Sequence, residues 1–332
     1  MIAFAPYTFL IVSLLVIPLL VAWGCKVADR HIKRKRHWKK SYGWLMSILL
    51  VLTIWAMVIY GSTIGFDKLE VCHYTFRSPA LPSAFDGYRI VHFSDAHVGS
   101  YSGNRQWVLE KAVDSINAQH ADLIVFTGDL QNIRAQELDE HMQVLSRLKA
   151  KDGVVSVLGN HDYSMYIKGT EEEKEANDQA VICKERAMGW TLLLNQHHVI
   201  EREGQRIVIA GMENDGNGTR FPQLGDISKT LAGISHDFVV MLEHDPSSWR
   251  RKIVPDGRAQ LTLSGHTHGM QMAIGGWTPL QLTGRECMGW YHEGWQSLYV
   301  TKGLGGVIPF RLGATGEIAV ITLALSPSDR TE

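Results

Sequence analysis

The sequence predicts a mixed α/β domain, two packed sheets with helices outside, behind a pair of long apolar helices. Three observations carry this. Two stretches near the amino end are free of charge. From residue 88 onward, short apolar β-rich runs alternate with longer polar–apolar helical patterns. The number of those runs exceeds what one simple doubly wound sheet would use.

Residues 1–25 contain no Asp, Glu, Lys or Arg, and neither do residues 41–66. Within them, "YTFLIVSLLVIPLLVAW" and "WLMSILLVLTIWAMVIYG" each approach the roughly 20 apolar residues that cross a bilayer as a helix. Tyr7, Trp23, Trp44 and Tyr60 stand at their ends, where interfacial aromatics belong. Pro18 is tolerated inside a membrane helix. The residues before Tyr7 carry no positive side chain, unlike the start of a secretory signal. Membrane helices are therefore expected at about 7–24 and 44–61.

The stretch between them, "KVADRHIKRKRHWKK", holds eight Lys/Arg and one Asp. Between two spans it reads as a cytoplasmic loop under the positive-inside rule, with affinity for anionic head groups. Both flanks then face outward, so a multi-pass membrane protein with an extracytoplasmic soluble domain is expected. The whole chain has 33 basic and 34 acidic residues. Without the loop, 25 basic and 33 acidic remain, a balance of −8. An acidic domain gains no non-specific attraction to nucleic acid, so no nucleic-acid partner is expected. Cys25, Cys72, Cys183 and Cys287 show no CxxC spacing, so neither a thiolate zinc site nor a disulfide framework is indicated.

The segment 67–87 reads as a linker or a leading strand. Strands are then expected at 88–95, 121–129 and 153–160. Helices are expected at 104–119, around 136–149 and near 171–189. Later strands fall at "HVIER", "RIVIAGM", "DFVVMLEH", "AQLTLSGH", "SLYVTKG" and "EIAVITLAL".

Residues of metal-ligand type cluster where these strands end. "HFSDAH" closes with Asp95 and His97, and "VFTGD" with Asp129. "VLGNHD" closes with Asn160, His161 and Asp162, "VMLEHD" carries His244, and "LSGHTH" ends with His266 and His268. In α/β folds, sites assemble at strand carboxyl ends. A GD or a lone His is usually a turn or a packed side chain. Five such endings in order point to one shared edge. Two carboxylates, an amide and imidazoles form a mixed N/O set that suits two divalent transition ions (Mn, Zn or Fe) better than calcium. Asp129 has two oxygens and could bridge ions about 3.5–4 Å apart. His266 and His268 alternate along an extended segment, so both can face the same side. Gly265 removes a Cβ from that approach.

In their order, Asp95-x-His97, Gly128-Asp129, Gly159-Asn160-His161-Asp162, His244 and Gly265-His266-Thr267-His268 resemble the calcineurin-like metallophosphoesterase superfamily. The likeness covers about residues 88–325 and is nearest to the bacterial membrane-associated branch of YkuE-type phosphoesterases. It implies a four-layer α/β/β/α sandwich (the metallophosphoesterase fold) holding a dinuclear centre. It implies that Asp95, His97 and His268 bind one ion, that Asn160, His244 and His266 bind the other, and that Asp129 bridges. His161 would be catalytic, facing the phosphate, with Asp162 orienting it. The implied function is hydrolysis of a phosphoester by metal-activated hydroxide. A pyrophosphatase or phosphodiesterase on a lipid-linked head group is the alternative, and a non-catalytic scaffold is the bland one.

Asn132 stands where purple acid phosphatases carry a tyrosine, so no ferric-tyrosinate centre is implied. "GNHD" departs from the GNRD of soluble UDP-diacylglucosamine pyrophosphatases, which weakens that substrate. Arg311, in "PFRLG", is a candidate phosphate contact. Trp277, Trp290 and Trp295 are candidates for a substrate rim or a bilayer contact. The expected organisation is a hairpin over 1–66, a linker over 67–87 and a catalytic domain over 88–326.

Overall fold

The computed structural model describes residues 8, 9, 11–36, 42–219 and 221–326. Its amino end is a helical hairpin. A π-helical turn, Val12–Val16, runs into α1, Ile17–Arg36, and α2, Gly43–Tyr60, runs into a π-helical turn, Gly61–Gly65. The segments Val12–Lys35 and Gly43–Gly65 are each long and apolar enough to cross a membrane. The indole N–H of Trp55 donates to the Leu14 carbonyl at 3.0 Å, tying the two helices together. The first helix runs further than expected and absorbs most of the basic run. Lys and Arg are good helix formers, and no Pro or Gly interrupts them there. Tyr7 and the last basic residues, Lys39 and Lys40, lie outside the described residues.

Among the described residues, twelve strands form two six-stranded sheets. The first sheet has the order β1-β12-β2-β3-β4-β5, with β1 Leu69–Ser78, β2 Arg89–Phe93, β3 Leu123–Thr127, β4 Val154–Val157, β5 Thr191–Leu192 and β12 Gly316–Leu325. The second has the order β10-β11-β9-β8-β7-β6. Its strands are β6 Gln196–Arg202, β7 Gln205–Gly211, β8 Phe238–Leu242, β9 Ala259–Ser264, β10 Gly289–Glu293 and β11 Gln296–Val300. β2 through β5 are parallel, and so are β7, β8, β9 and β11. Each parallel set delivers its carboxyl ends to one edge.

Strands buried on both faces read as near-continuous apolar runs. Ile90, Val125 and Val157 meet Ile209, Val240 and Leu263 between the sheets. Truncating Ile90, Ile209 or Leu263 to Ala would cost about 2–5 kcal/mol. The other face of the first sheet packs on α3, Gln106–Asn117, through Val108, Leu109, Ala112, Val113 and Ile116, a helical stripe. On the second sheet, Trp249 and Ile253 fill the outer layer. The helix α4, Glu171–Ala187, starts at a capping box in which the Thr170 hydroxyl and Glu173 carboxylate satisfy each other's backbone N–H groups.

Of the two readings of 67–87, the leading strand holds over the plain linker: β1 lies in it, paired in parallel with β12 from Leu69↔Gly316 to Ser78↔Leu325. Two further features differ from expectation. The helix expected at 136–149 is broken into Ala135–Leu138 and Met142–Leu145. The Glu137 carboxylate turns back to accept the N–H groups of Asn132, Ile133 and Arg134, which caps the start of the first of these turns. The strands β5 and β10 were not anticipated. β5 is two residues long, and β10 is polar and aromatic.

Candidate metal centre

Parallel strand ends converge here from both sheets. Loops after β2, β3 and β4 meet loops after β8, β9 and β11. Several bonds cross the junction, among them His244 Nδ1 donating to the Thr127 carbonyl at 2.6 Å and Gly305 N–H donating to the Asp95 carbonyl at 2.8 Å. Gly159 and Gly265 permit the approach. A Cβ at Gly159 would strike the Asp129 carboxylate, and one at Gly265 would strike Ser94 and Asp95.

The seven side chains singled out from sequence as ligands come together. Ligand atoms of Asp95, His97, Asp129 and His268 all lie within 4.8 Å of one another, and so do those of Asp129, His244 and His266. Asp129 belongs to both groups. The Asn160 Oδ1 sits 2.7 Å from His266 Nδ1 and 3.2 Å from His244 Nε2, completing the second. Asp95, His97, Asp129, Asn160 and His244 are buried, and the two histidines after Gly265 are partly so.

The backbone is strained to achieve this. Asp95, His97, Asp129, His266 and His268 have φ of 52°, 45°, 60°, 73° and 52°, in the left-handed region that residues other than Gly rarely adopt. Each such conformation costs on the order of 1 kcal/mol or more and persists where the surroundings over-determine it.

Hydrogen bonds set the tautomers. His97 Nδ1 donates to the Gln131 carbonyl at 3.2 Å, and His268 Nδ1 to the Gly305 carbonyl at 3.1 Å. With His244, three rings thus spend their Nδ1 proton on a backbone carbonyl. In the neutral ring the Nε2 then carries a lone pair. Yet His97 Nε2 lies 3.3 Å from His268 Nε2, and His268 Nε2 lies 3.3 Å from Asp95 Oδ1. His244 Nε2 is 3.3 Å and His97 Nε2 3.6 Å from the same Asp129 Oδ2. Acceptors face acceptors.

Protons do not resolve this. Burial pushes His268 down to about 4 and pushes His97 and His266 below the ordinary imidazole value. At His244 burial opposes charge, but Asp129 outweighs it and raises the ring to about 10. One imidazolium cannot serve both groups. A mixed N/O set of lone pairs in a dry site, with rings oriented from behind, fits divalent cations of the transition series.

His161 stands beside this cluster. Its ring is edge-on to His97 with centroids 4.7 Å apart, and its Nδ1 donates to the Asn132 carbonyl at 2.5 Å. The expectation that Asp162 orients it is not met. The Asp162 carboxylate instead accepts four backbone N–H groups, from Asp129, Leu130, Gln131 and Gly159, at 2.8–3.2 Å. It shapes the loop that carries Asp129. The Asn132 carbonyl and the Tyr166 ring, with centroids 4.2 Å apart, orient His161 instead. Tyr166 also receives a bond from Asn160 Nδ2 at 3.0 Å. Nothing in the local pattern "YSMY" signalled this.

Arg311 does not face the cluster as a phosphate contact. It is fully buried and donates to the carbonyls of Lys302, Gly303, Gly305 and Ala314 at 2.6–3.1 Å. It folds the loop whose Gly305 carbonyl holds His268. A cleft of about 290 Å³ opens beside His266. It is bordered by Asn217, Phe221, Asp245, Arg251 and Arg285, and the Phe221 ring stands edge-on to His266. A further group, Glu70, Cys72 and Glu317, also brings ligand atoms together. Lys302 already bonds Glu70 and lies 4.0 Å from Glu317, so one ammonium balances one of the group's two carboxylate charges.

The sequence pattern of the family described as Calcineurin-like phosphoesterase matches residues 88–270. YkuE of Bacillus subtilis strain 168, an uncharacterized metallophosphoesterase, is 32% identical over 80% of this chain and 88% of its own length. A Danio rerio transmembrane protein with a metallophosphoesterase domain is 27% identical over 83% of this chain, and the match spans 62% of that protein. Among solved structures, a dimetal phosphatase from Danio rerio aligns with a TM-score of 0.40 at 11% identity, over 71% of this chain and 99% of that one. With this match and these relatives, the chain belongs to the calcineurin-like phosphoesterase family, metal-using hydrolases of phosphate esters.

Proposed function

We propose that this chain is a membrane-anchored, metal-dependent phosphoesterase with a dinuclear centre. The single observation that carries the reading is the shared Asp129 Oδ2. Among the described residues, this carboxylate oxygen is faced by imidazole nitrogens from both groups, His97 at 3.6 Å and His244 at 3.3 Å. Asp95, His97 and His268 would hold one cation, Asn160, His244 and His266 the other, with Asp129 between. Bound there, the cations would supply charge against the phosphoryl oxygens and a lowered pKa for water.

The remaining roles belong to the chain. The Asn132 carbonyl fixes the His161 tautomer with its proton on Nδ1, leaving Nε2 to meet the substrate. When protonated, that nitrogen can offset phosphoryl charge or deliver a proton to the leaving oxygen. The buried walls of the cluster exclude bulk water, which strengthens each of these interactions. Hydrolysis adds water to phosphorus and breaks the ester P–O bond, releasing an alcohol.

The two apolar helices and the transmembrane relative support anchoring by residues 1–66, ahead of a catalytic domain over 88–326. Lys26, Arg30, Lys33, Arg34 and Lys35 continue the first span and argue for a cytoplasmic turn, which puts the catalytic domain outside. A lipid-linked phosphodiester or pyrophosphate is the second reading, favoured by the tether.

The test uses the purified full chain, stripped of metal and reloaded with Mn, Zn or Fe(II). Aryl monoesters, aryl diesters and dispersed phospholipids are offered in parallel. Reloading should restore hydrolysis, and Asp129→Asn should abolish both activity and stoichiometric binding of a second ion. Full activity in the stripped chain, or an Asp129→Asn variant that still binds two ions and turns over, would refute the reading.

A further inference from the structure

Residues 267–284, "THGMQMAIGGWTPLQLTG", contain no Asp, Glu, Lys or Arg, although they belong to an otherwise charged domain. They leave the cluster directly after His268. Instead of folding inward, the segment exposes Met270, Met272, Ile274, Trp277 and Leu282, with Ile274 76% and Leu282 79% accessible. Its tip is a two-residue hairpin turn. Ile274 and Trp277 exchange both backbone bonds, at 2.8 and 3.0 Å, around Gly275 and Gly276, which have φ of 58° and 81°. Positive φ at both central residues defines a tight type I′ turn. It presents an isoleucine and a tryptophan side by side at the end of a rigid projection. Scattered exposed apolar residues need no explanation, but a contiguous, charge-free patch of this kind marks a contact surface.

The structure also indicates where this surface lies. Leu312 N–H donates to the Gln271 carbonyl at 2.8 Å, and Ala273 N–H donates to the Leu312 carbonyl at 2.9 Å. The Gln271 amide clamps the Ile308 and Phe310 carbonyls at 2.9 and 2.7 Å. The next residue, Arg311, donates its N–H to the Gly61 carbonyl at 2.9 Å, at the end of the second apolar helix. Phe310 packs on Gly61 and on the Phe9 ring, 4.8 Å away, before the first. The exposed segment is thus two hydrogen-bonded steps from the outer end of the helical hairpin. At that end, Lys68 donates to the Tyr60 hydroxyl at 3.0 Å, as polar tips do at a head-group boundary.

We propose that residues 270–282 dip into the same bilayer that holds the hairpin, with Ile274, Trp277 and Leu282 at the head-group–acyl boundary. This rests on the reading of Val12–Lys35 and Gly43–Gly65 as membrane spans. The chemistry matches an interfacial contact: apolar aliphatic side chains, an amphipathic indole and no charge to desolvate. The cleft beside His266 has Leu280 and Gly284 of this segment in its wall. The metal centre would therefore open beside the lipid surface.

The test inserts an environment-sensitive fluorescent amino acid, by stop-codon suppression, at position 274 or 282 of the full chain. The protein is reconstituted into phosphatidylcholine vesicles containing a minority of phosphatidylglycerol. Some of the lipid is spin-labelled near the head group. Position 59, exposed on the second helix, and position 203, in the turn between β6 and β7, serve as controls. The proposal expects quenching at 274 and 282 about threefold or more above that at 203. Quenching at 59 with none at 274 and 282 overturns the loop contact and leaves the hairpin reading standing. Absence of quenching at 59 overturns the hairpin reading and the loop contact with it. Shielding at 274 that follows protein density instead of spin-labelled lipid assigns the face to a second copy and also overturns the proposal.

Discussion

The hairpin and the strand-end cluster violate the same rule in opposite directions. In the hairpin, Leu19, Leu52 and Ile59 are more than half exposed. In the cluster, Asp95, His97 and Asp129 are at most 1% exposed. A soluble chain alone would reverse both, because apolar surface is driven from water and buried polar groups cost free energy unless partnered. On the proposed reading, hydrocarbon would complete the helices, and cations would complete the lone pairs. The interior supplies scaffolding for the second but nothing for the first. Three cluster histidines are braced by carbonyls from behind, whereas the helices touch mainly each other.

The comparison can be broken most decisively at His161. Replacing it with Ala should lower kcat by about 10²–10⁴-fold while leaving bound metal, measured by mass spectrometry, unchanged. An unaltered rate would reduce the cluster to a structural site. At the hairpin, Leu52→Arg puts a charge near the middle of the second span. It should cost about 3 kcal/mol of insertion, read as chain shifting from the membrane pellet to the alkaline-wash supernatant. If the helices are instead a soluble decoration, an exposed Leu→Arg change will leave fractionation as it was. Removing metal from the wild-type chain should destabilise it by about 2–3 kcal/mol for each bound ion when the free ion had stood at a hundred times its dissociation constant. A melting midpoint indifferent to chelator would show that the lone pairs need no cation.

The smallest effect concerns Glu185, a buried polar group on α4 whose missing partner is only a proton. Burial, aided by the Asp162 charge, pushes its carboxyl well above the ordinary range. One oxygen accepts the Ser156 hydroxyl at 2.5 Å, and the other has no partner. A carboxyl raised in the folded state favours folding at low pH. Stability is then lost as pH climbs from the unfolded value toward the folded one. Glu185→Gln should therefore gain on the order of 1 kcal/mol at pH 8, and the gain should vanish near pH 4. Equal melting curves for the two proteins at both pH values would contradict this.

Much of the cluster was legible because its parts are local. A ligand at a strand end is announced by the apolar run before it, as "VFTG" announces Asp129 and "LTLSG" announces His266. The order of five such endings is itself informative. Partners supplied by the backbone were not legible. No sequence pattern encodes that the Asn132 carbonyl holds His161, or that Asp162 gathers four N–H groups. Carbonyls and amides are the same in every residue, and only the fold decides which one arrives. Arg311 was misread for a related reason: its charge suggested phosphate, but four converging carbonyls satisfy it in the interior. The mixed polarity of 67–87 left linker and leading strand both open, and pairing along the edge of β12 makes it a strand.

By itself the sequence determined the charge-free helices, the apolar strands and which residue closes each strand, because hydropathy and periodicity act between near neighbours. The tertiary structure alone decided the distances at which residues 95 and 268 meet. It also decided that one oxygen of Asp129 would face both histidine groups, and that an uncharged loop would lie beside the helix ends. Those are consequences of strand order and loop closure. They join residues far apart in the chain, and no local preference reaches that far.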